Sequence, residues 1–249
     1  MEGKRTVLSV LLAISIFWTG LSFAEPNPKE ILRHADEARG NLEGVKWRVH
    51  IASTEGKRKQ EREIEVKSKA YDFLAIFMAP PRVKGQKILM VSHNMWFMRP
   101  GLRKAVPVSP RQRLIGGAAY GDIAATNYAD DYETTSLVAD AFGGEECYLF
   151  DLKAITKNAT YDRIKYWVSK ERTLGIKAEF YTVSGKLFKS AIFEYNNEIQ
   201  FQSKTQPFIS KMIITDHLSG EDHTTMTFTE QEIAEIPAAT FDLNLLMLG

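Results

Sequence analysis

The chain has 249 residues, a formal charge of +1 from 32 basic and 31 acidic residues, and one cysteine. A balance this even argues against a nucleic-acid binder, which would show a clustered basic excess, and against purely electrostatic attachment to an anionic membrane. The lone Cys147 excludes an internal disulfide, and it lies too far along the chain to be a lipid-modified first residue.

Lys4 and Arg5 precede an apolar run from Val7 to Leu21, shorter than a confident membrane span, and Ser22-Phe23-Ala24 is a small-x-small site ahead of Glu25-Pro26-Asn27-Pro28. Residues 1–24 read as a cleaved secretory signal, with an uncleaved anchor as the alternative; residues 25–249 read as a single domain. Removing Glu2, Lys4 and Arg5 leaves that domain formally neutral. An exported chain without disulfides suits a bacterial periplasm. It is long enough for one sizeable core, and no linker or repeat divides it.

Asn27 as N-cap, Pro28 at the first helical position and Gly40 as terminator predict a helix, with Ile31, Leu32, Ala35 and Ala38 forming its apolar stripe. Asp36 and Arg39 are spaced to pair across one turn, which reads as a surface ion pair. From Val45 the period becomes two: Val45, Trp47, Val49 and Ile51 alternate with Lys46, Arg48 and His50. Glu55-Gly56 turns the chain, and Ile64 and Val66 alternate with Glu63, Glu65 and Lys67 on the return strand. The charges over Lys57 to Lys69 read as a solvated face that discourages edge pairing. Tyr71 to Met78 is apolar on both faces and stops at Pro80-Pro81.

Ile88-Leu-Met-Val91, a polar break at Ser92-His93-Asn94, Met95-Trp-Phe-Met98, a second break at Arg99-Pro100-Gly101, and Lys104 to Val108 make two or three short strands. Side chains alternate, so four large apolar residues in succession cannot share a face. This stretch is therefore buried on both faces or lines a hydrophobic cavity with one.

Pro110 to Asp131 departs from strand periodicity, with glycines, small residues and a weak helix signal starting at Asp122 as N-cap. It reads as a lid or as an ordinary surface connection. Strands follow over Cys147 to Ala154, Tyr161 to Ser169, Ile176 to Phe180 (with Ile176, Ala178 and Phe180 on one face), Leu187 to Tyr195, Phe208 to Asp216 and His223 to Phe228, the last two joined around Ser219-Gly220. Phe241 to Leu246 reads as a final short strand or apolar clasp. About ten strands on this reading predict a mainly β (α+β) domain: one large curved antiparallel sheet forming an incomplete barrel, closed by the N-terminal helix and a helical insert.

The order of these elements, with paired prolines, Ile88-Leu-Met-Val-Ser92, and Met95-Trp-Phe-Met-x-Pro-Gly101, resembles the LolA/LolB lipoprotein carriers, and within them the outer-membrane lipoprotein-sorting proteins. The resemblance covers most of the mature chain. It implies an incomplete barrel whose apolar hollow holds the acyl chains of lipoproteins between an inner-membrane donor complex and an outer-membrane acceptor. Trp96, Phe97 and Pro100 match the family's Trp-x-Tyr/Asn-Pro strand end. The family's latch arginine, before the proline closing the preceding strand, is replaced here by Ala79 or Pro80, with Arg82 nearest. The latch is then either shifted to Arg82 or absent, and a cargo other than a triacylated lipoprotein stays open.

Candidate cavity-lining residues are Trp47, Val49, Ile51, Phe73, Phe77, Met90, Trp96 and Met98, and candidate lid residues are Leu114, Ile115, Tyr120 and Ile123. Taken singly, each cavity candidate is as well explained as core. Methionines among aromatics suit a pocket that re-packs around variable chains, and they also fill gaps. No cofactor is expected.

Enzymatic readings lack their motifs: there is no Gly-x-Ser-x-Gly, His-Glu-x-x-His or phosphate-loop spacing. Cys147 reads as an inert core thiol, and Asp216-His217 with Asp222-His223 offer too few ligands on one face for a metal. Two function classes remain, both without a catalytic step. One is a monomeric periplasmic carrier for lipoproteins or lipids. The other is an accessory or lipid-sensing subunit of an envelope exporter or regulator.

Overall fold

Hairpin after hairpin builds the molecule. The computed structural model describes residues 27–124, 126–218 and 222–248. The signal assigned to residues 1–24 and the turn at Ser219-Gly220 lie outside them. Helix α1 (Pro28–Glu37) starts on Asn27, whose side chain accepts from the Lys29 amide at 3.0 Å. Strands β1 (Val45–Glu55), β2 (Arg58–Lys69), β3 (Asp72–Ala79), β4 (Lys87–Val91), β5 (Asn94–Met98) and β6 (Val106–Val108) follow as an antiparallel meander. An insert comes next: a small hairpin of β7 (Arg113–Ile115) and β8 (Ala118–Ala119), a 3-10 turn over Tyr120–Ile123, and the short helix α2 (Tyr128–Asp131).

The chain then re-enters the sheet with β9 (Tyr132–Phe142), β10 (Glu145–Ala154), β11 (Arg163–Ser169), β12 (Gly175–Tyr181) and β13 (Leu187–Glu194). A separate hairpin of β14 (Asn197–Phe201) and β15 (Lys204–Phe208) precedes β16 (Lys211–Asp216) and β17 (Asp222–Ile233). A 3-10 turn over Ala238–Phe241 and helix α3 (Leu243–Leu248) end the chain. The main sheet has 13 strands in the order β6-β5-β4-β3-β2-β1-β17-β16-β13-β12-β11-β10-β9. Its edges, β6 and β9, do not meet, so this is an open, curled antiparallel sheet and not a closed barrel.

Alternation sorts the side chains. Val45, Trp47, Val49 and Ile51 of β1, Ile64 and Val66 of β2, and Phe73, Ala75 and Phe77 of β3 all enter one core on the concave face. Ile31, Leu32 and Ala35 of α1, and Ile115, Ile123, Tyr128 and Ala129 of the insert, pack onto the same core. The convex face carries a second cluster in which Leu74, Leu89 and Met98 lie under Ile236 and Phe241.

Several details depart from the sequence reading. Strand count exceeds the expected ten because two- to five-residue strands carry no periodic signal. Asp122 lies inside the 3-10 turn and accepts from the Ala119 amide at 2.8 Å, so it caps no following helix. The C-terminal clasp is helical, with the Asp242 side chain accepting from the Asn244 and Leu245 amides at 2.8 and 3.0 Å. Ile176 does not share a face with Ala178 and Phe180. A bulge sets Trp167 opposite Lys177 and Val168 opposite Gly175, and the extra residue, Ile176, joins Cys147 and Trp167 in a separate cluster.

Candidate functional site

The concave face is the candidate site. Of the eight residues expected to line a hollow, Trp47, Val49, Ile51, Phe73 and Phe77 are buried together there, and Met90 packs at their edge. Trp96 and Met98 are not with them. Register explains this: Met90 pairs with Met95 and Ile88 with Phe97 on the inner side, whereas Leu89 pairs with Trp96. Trp96 and Met98 therefore face outward, against the C-terminal segment. The inner aromatic of the Met95–Met98 run is Phe97, partly buried against the concave core.

All four lid candidates lie on the insert. Ile115 and Ile123 are fully buried, and Leu114 and Tyr120 pack against the same core. The concave face is consequently filled by its own side chains and by the insert. A hollow of only about 60 Å³ remains beneath it, lined in part by Arg39, Met90, Asp122, Tyr128 and Tyr132. Sites that hold a drug-sized ligand run to several hundred cubic ångströms, so the face as it stands is occupied by the protein's own side chains.

The insert is fastened at a few polar points. At the hairpin, Gly116 has φ +55°, and a Cβ there would fall 2.0 Å from Ser53 Oγ and 2.2 Å from Thr224 Oγ1. Only glycine permits so close an approach. Next to it, the Gly117 amide donates to Thr224 Oγ1 at 2.9 Å. Arg113 pairs with Glu55, while Arg111 donates to the Ala159 carbonyl at 2.8 Å and pairs with Asp162 at 2.5 Å.

The central fastening is a buried triad. Lys189 of β13 places Nζ 3.0 Å from Asp122 Oδ2 and donates to Tyr161 Oη at 2.5 Å, and Tyr161 donates to Asp122 Oδ1 at 2.6 Å. Burial and the neighbouring Asp122 charge raise the Tyr161 phenol well above its ordinary range, so it stays protonated and donates.

A second buried pair holds α2 to α1. The Ala129 amide donates to Asp36 Oδ2 at 2.8 Å. Desolvation by burial raises the Asp36 carboxyl to about 7, against the lowering effect of the Ala129 and Tyr128 amides and of Arg39. The Arg39 guanidinium lies 4.2 Å from the Phe193 ring centre and 5.4 Å from that of Tyr128. Asp36 and Arg39 are thus interior groups and not the expected surface pair. Their spacing carried the signal, since Arg39 follows Ile31 and Ala35 at intervals of four and Asp36 follows Leu32 likewise.

Arg82, the candidate shifted latch, is not brought to the insert by any ion pair or hydrogen bond among the described residues. It sits exposed on the β3–β4 turn. The buried ion pair between the sheet and the insert is made by Lys189 and Asp122. Among the described residues no group of three or more His, Cys, Asp or Glu converges as metal ligands. His217 bonds Ser190 at 3.0 Å, and His223 bonds Thr215 at 3.2 Å.

The comparisons agree with this architecture. A LolA superfamily protein from Nitrosomonas europaea is 26% identical, covering 87% of this chain and 97% of that one, with a TM-score of 0.78. An outer membrane lipoprotein-sorting protein domain from Vibrio parahaemolyticus (20% identical, 88% and 97% covered, TM-score 0.74) shares the fold. So does a DUF1329 family protein from Desulfovibrio piger (16% identical, 88% and 97% covered, TM-score 0.72). No curated protein matches the sequence. A family model described as "-like: Uncharacterized protein" matches residues 69–247, most of the sheet and the whole insert. The chain belongs to that family, and its fold is the LolA-like fold of the lipoprotein-sorting group.

Proposed function

We propose that this protein is a carrier of the bacterial envelope that takes acyl chains of lipoproteins or lipids between its curved sheet and its insert, and delivers them across the periplasm toward the outer membrane. The carrying observation is the contrast between the two halves of the closure. The contact surface is mostly apolar, and the insert is fixed to it by a few discrete polar ties at Ser53/Thr224, Lys189 and Asp36. Such a cover lifts as a unit, and the apolar face it leaves is matched by an alkyl chain.

The energetics favour exchange. Each buried methylene contributes about 0.8 kcal/mol, so an acyl chain compensates for the apolar burial given up when Ile115, Ile123 and Tyr128 withdraw. No catalytic group enters this reading, because the work is done by burial and release.

Native mass spectrometry of the protein from its own periplasm, followed by lipid extraction, tests the proposal. Adducts of acyl-chain mass are expected; a lipoprotein adduct specifies sorting, and a free lipid specifies lipid transport. A clean unliganded mass, together with no uptake of a fluorescent fatty acid, overturns the carrier reading.

A further inference from the structure

We propose that one end of the sheet, where Ile155 and Val183 project beside unpaired cations, is a docking surface for an anionic phospholipid membrane. Antiparallel register brings the relevant turns to that end. β1 and β3 run toward it and β2 and β4 run away, so the β1–β2 and β3–β4 turns lie there. By the same pairing, so do the β10–β11 loop and the β12–β13 turn.

Their residues share a character. The β1–β2 turn presents Lys57, Arg58 and Lys59, and the β3–β4 turn presents Arg82 and Lys84, all exposed and in no ion pair among the described residues. Arg62, just inside the β1–β2 turn, has its guanidinium pKa lowered first by desolvation and then by the like charges of Arg82 and Arg58, so these cations are crowded together. On the other side, a cleft of about 910 Å³ is lined by Lys153 and Lys157, by the exposed Ile155, and by Val183, which is 87% exposed. Its Arg111 and Arg163 are already matched by Asp162 and Asp151, which leaves the two lysines free of ion pairs among the described residues.

The opposite end differs. There Lys170 and Arg172 are paired with Glu146 and Glu145, and Lys211 with Glu194, while Lys69 and Lys204 stand singly on separate turns. Overall neutrality therefore coexists with a local concentration of unpaired positive charge at the first end, and electrostatic attachment there is what we infer. Branched aliphatic tips flanked by lysines suit the headgroup region of a bilayer, where the tip enters and the ammonium meets phosphate. A nucleic acid would use the cations but leave Ile155 and Val183 without a role. The surface lies beside the Arg113–Glu55 tie of the insert, so anionic headgroups would compete with Glu55 for Arg113 where the cover is fastened.

The binding named here needs no acyl chain in the hollow, so it stands or falls apart from the carrier reading. The test is flotation of the protein, as purified from its cells, with phosphatidylcholine vesicles and with vesicles containing phosphatidylglycerol. Association with the anionic vesicles alone is expected, abolished by high salt. Lys57→Gln/Arg58→Gln/Lys59→Gln and Ile155→Asp/Val183→Asp should each weaken it by roughly tenfold or more, while Lys69→Gln/Lys204→Gln at the other end should leave it unchanged. Circular dichroism confirms that each variant is folded. Equal binding to both vesicle types, no binding to either, or wild-type binding by the first two variants overturns the proposal.

Discussion

The Lys189 ammonium, on the inner side of β13, sits 3.0 Å from the Asp122 carboxylate of the insert, and both side chains are almost wholly buried. Two charges withdrawn from water need each other, and here Tyr161 bonds to both. Such a pair is a strong register device: it holds the insert in one position and yields all at once when one partner is lost.

Removing one partner is therefore expected to cost more than removing both. Asp122→Asn or Lys189→Met alone should destabilise the protein by about 3–5 kcal/mol, through the charge left behind. Asp122→Asn/Lys189→Met should cost distinctly less than the sum of the two single changes. Urea unfolding of the four proteins measures this, and strict additivity would show that the pair is not coupled. Either single variant should also take up a fluorescent fatty acid faster than wild type, since the cover is loosened.

Asp36 predicts a pH dependence. Its carboxyl is raised to about 7 by burial, against 3.8 for an unperturbed aspartate. The folded protein therefore binds this proton more tightly than the unfolded chain does. The associated stability is present in full below about pH 4 and is lost progressively as pH rises toward 7, because the unfolded chain ionises first. Stability at pH 8 should fall below that at pH 5 for this group, and Asp36→Asn should flatten that slope. An unchanged slope in the variant would place the dependence elsewhere.

The hairpin offers a local test of the cover. Gly116 combines a positive φ with a Cβ position already occupied by the Ser53 and Thr224 hydroxyl oxygens. Gly116→Val should strain the backbone and push the hairpin off β1 and β17, at a cost of about 1–3 kcal/mol. Hydrogen exchange should quicken at Gly117, whose amide donates to Thr224, and stay slow at Val49 in the centre of β1. Equal exchange at Gly117 in both proteins would count against a separable cover.

The strands of the meander were legible because Val45–Ile51 and Ile64–Val66 alternate cleanly, and β1 pairs with β2 in one unbroken register. The α1 stripe was legible for the same reason. What escaped is what alternation cannot carry. The 3-10 turn at Asp122 meets Lys189 across 67 residues, and no local pattern announces that contact. Lys189 shares the inner face of β13 with Ala191 and Phe193, but a lone cation in an apolar row does not name the carboxylate that it meets. The outward turn of Trp96 depends likewise on which of four successive apolar residues opposes Leu89, and only the register decides it.

That register sets the last prediction. Trp96 faces the C-terminal segment, where Phe241 and Leu246 cover the convex side, and Phe73 faces the concave core. Trp96→Ser should loosen the C-terminal helix and lower stability by about 2–4 kcal/mol, with lipid uptake per folded molecule unchanged. Phe73→Leu, a smaller change in volume, should alter uptake although it costs less stability. Measuring fatty-acid uptake and urea unfolding on both variants separates the two faces. If Trp96→Ser weakened uptake more than folding, the convex face and not the concave one would hold the lipid, and the insert would be a cover for nothing but core.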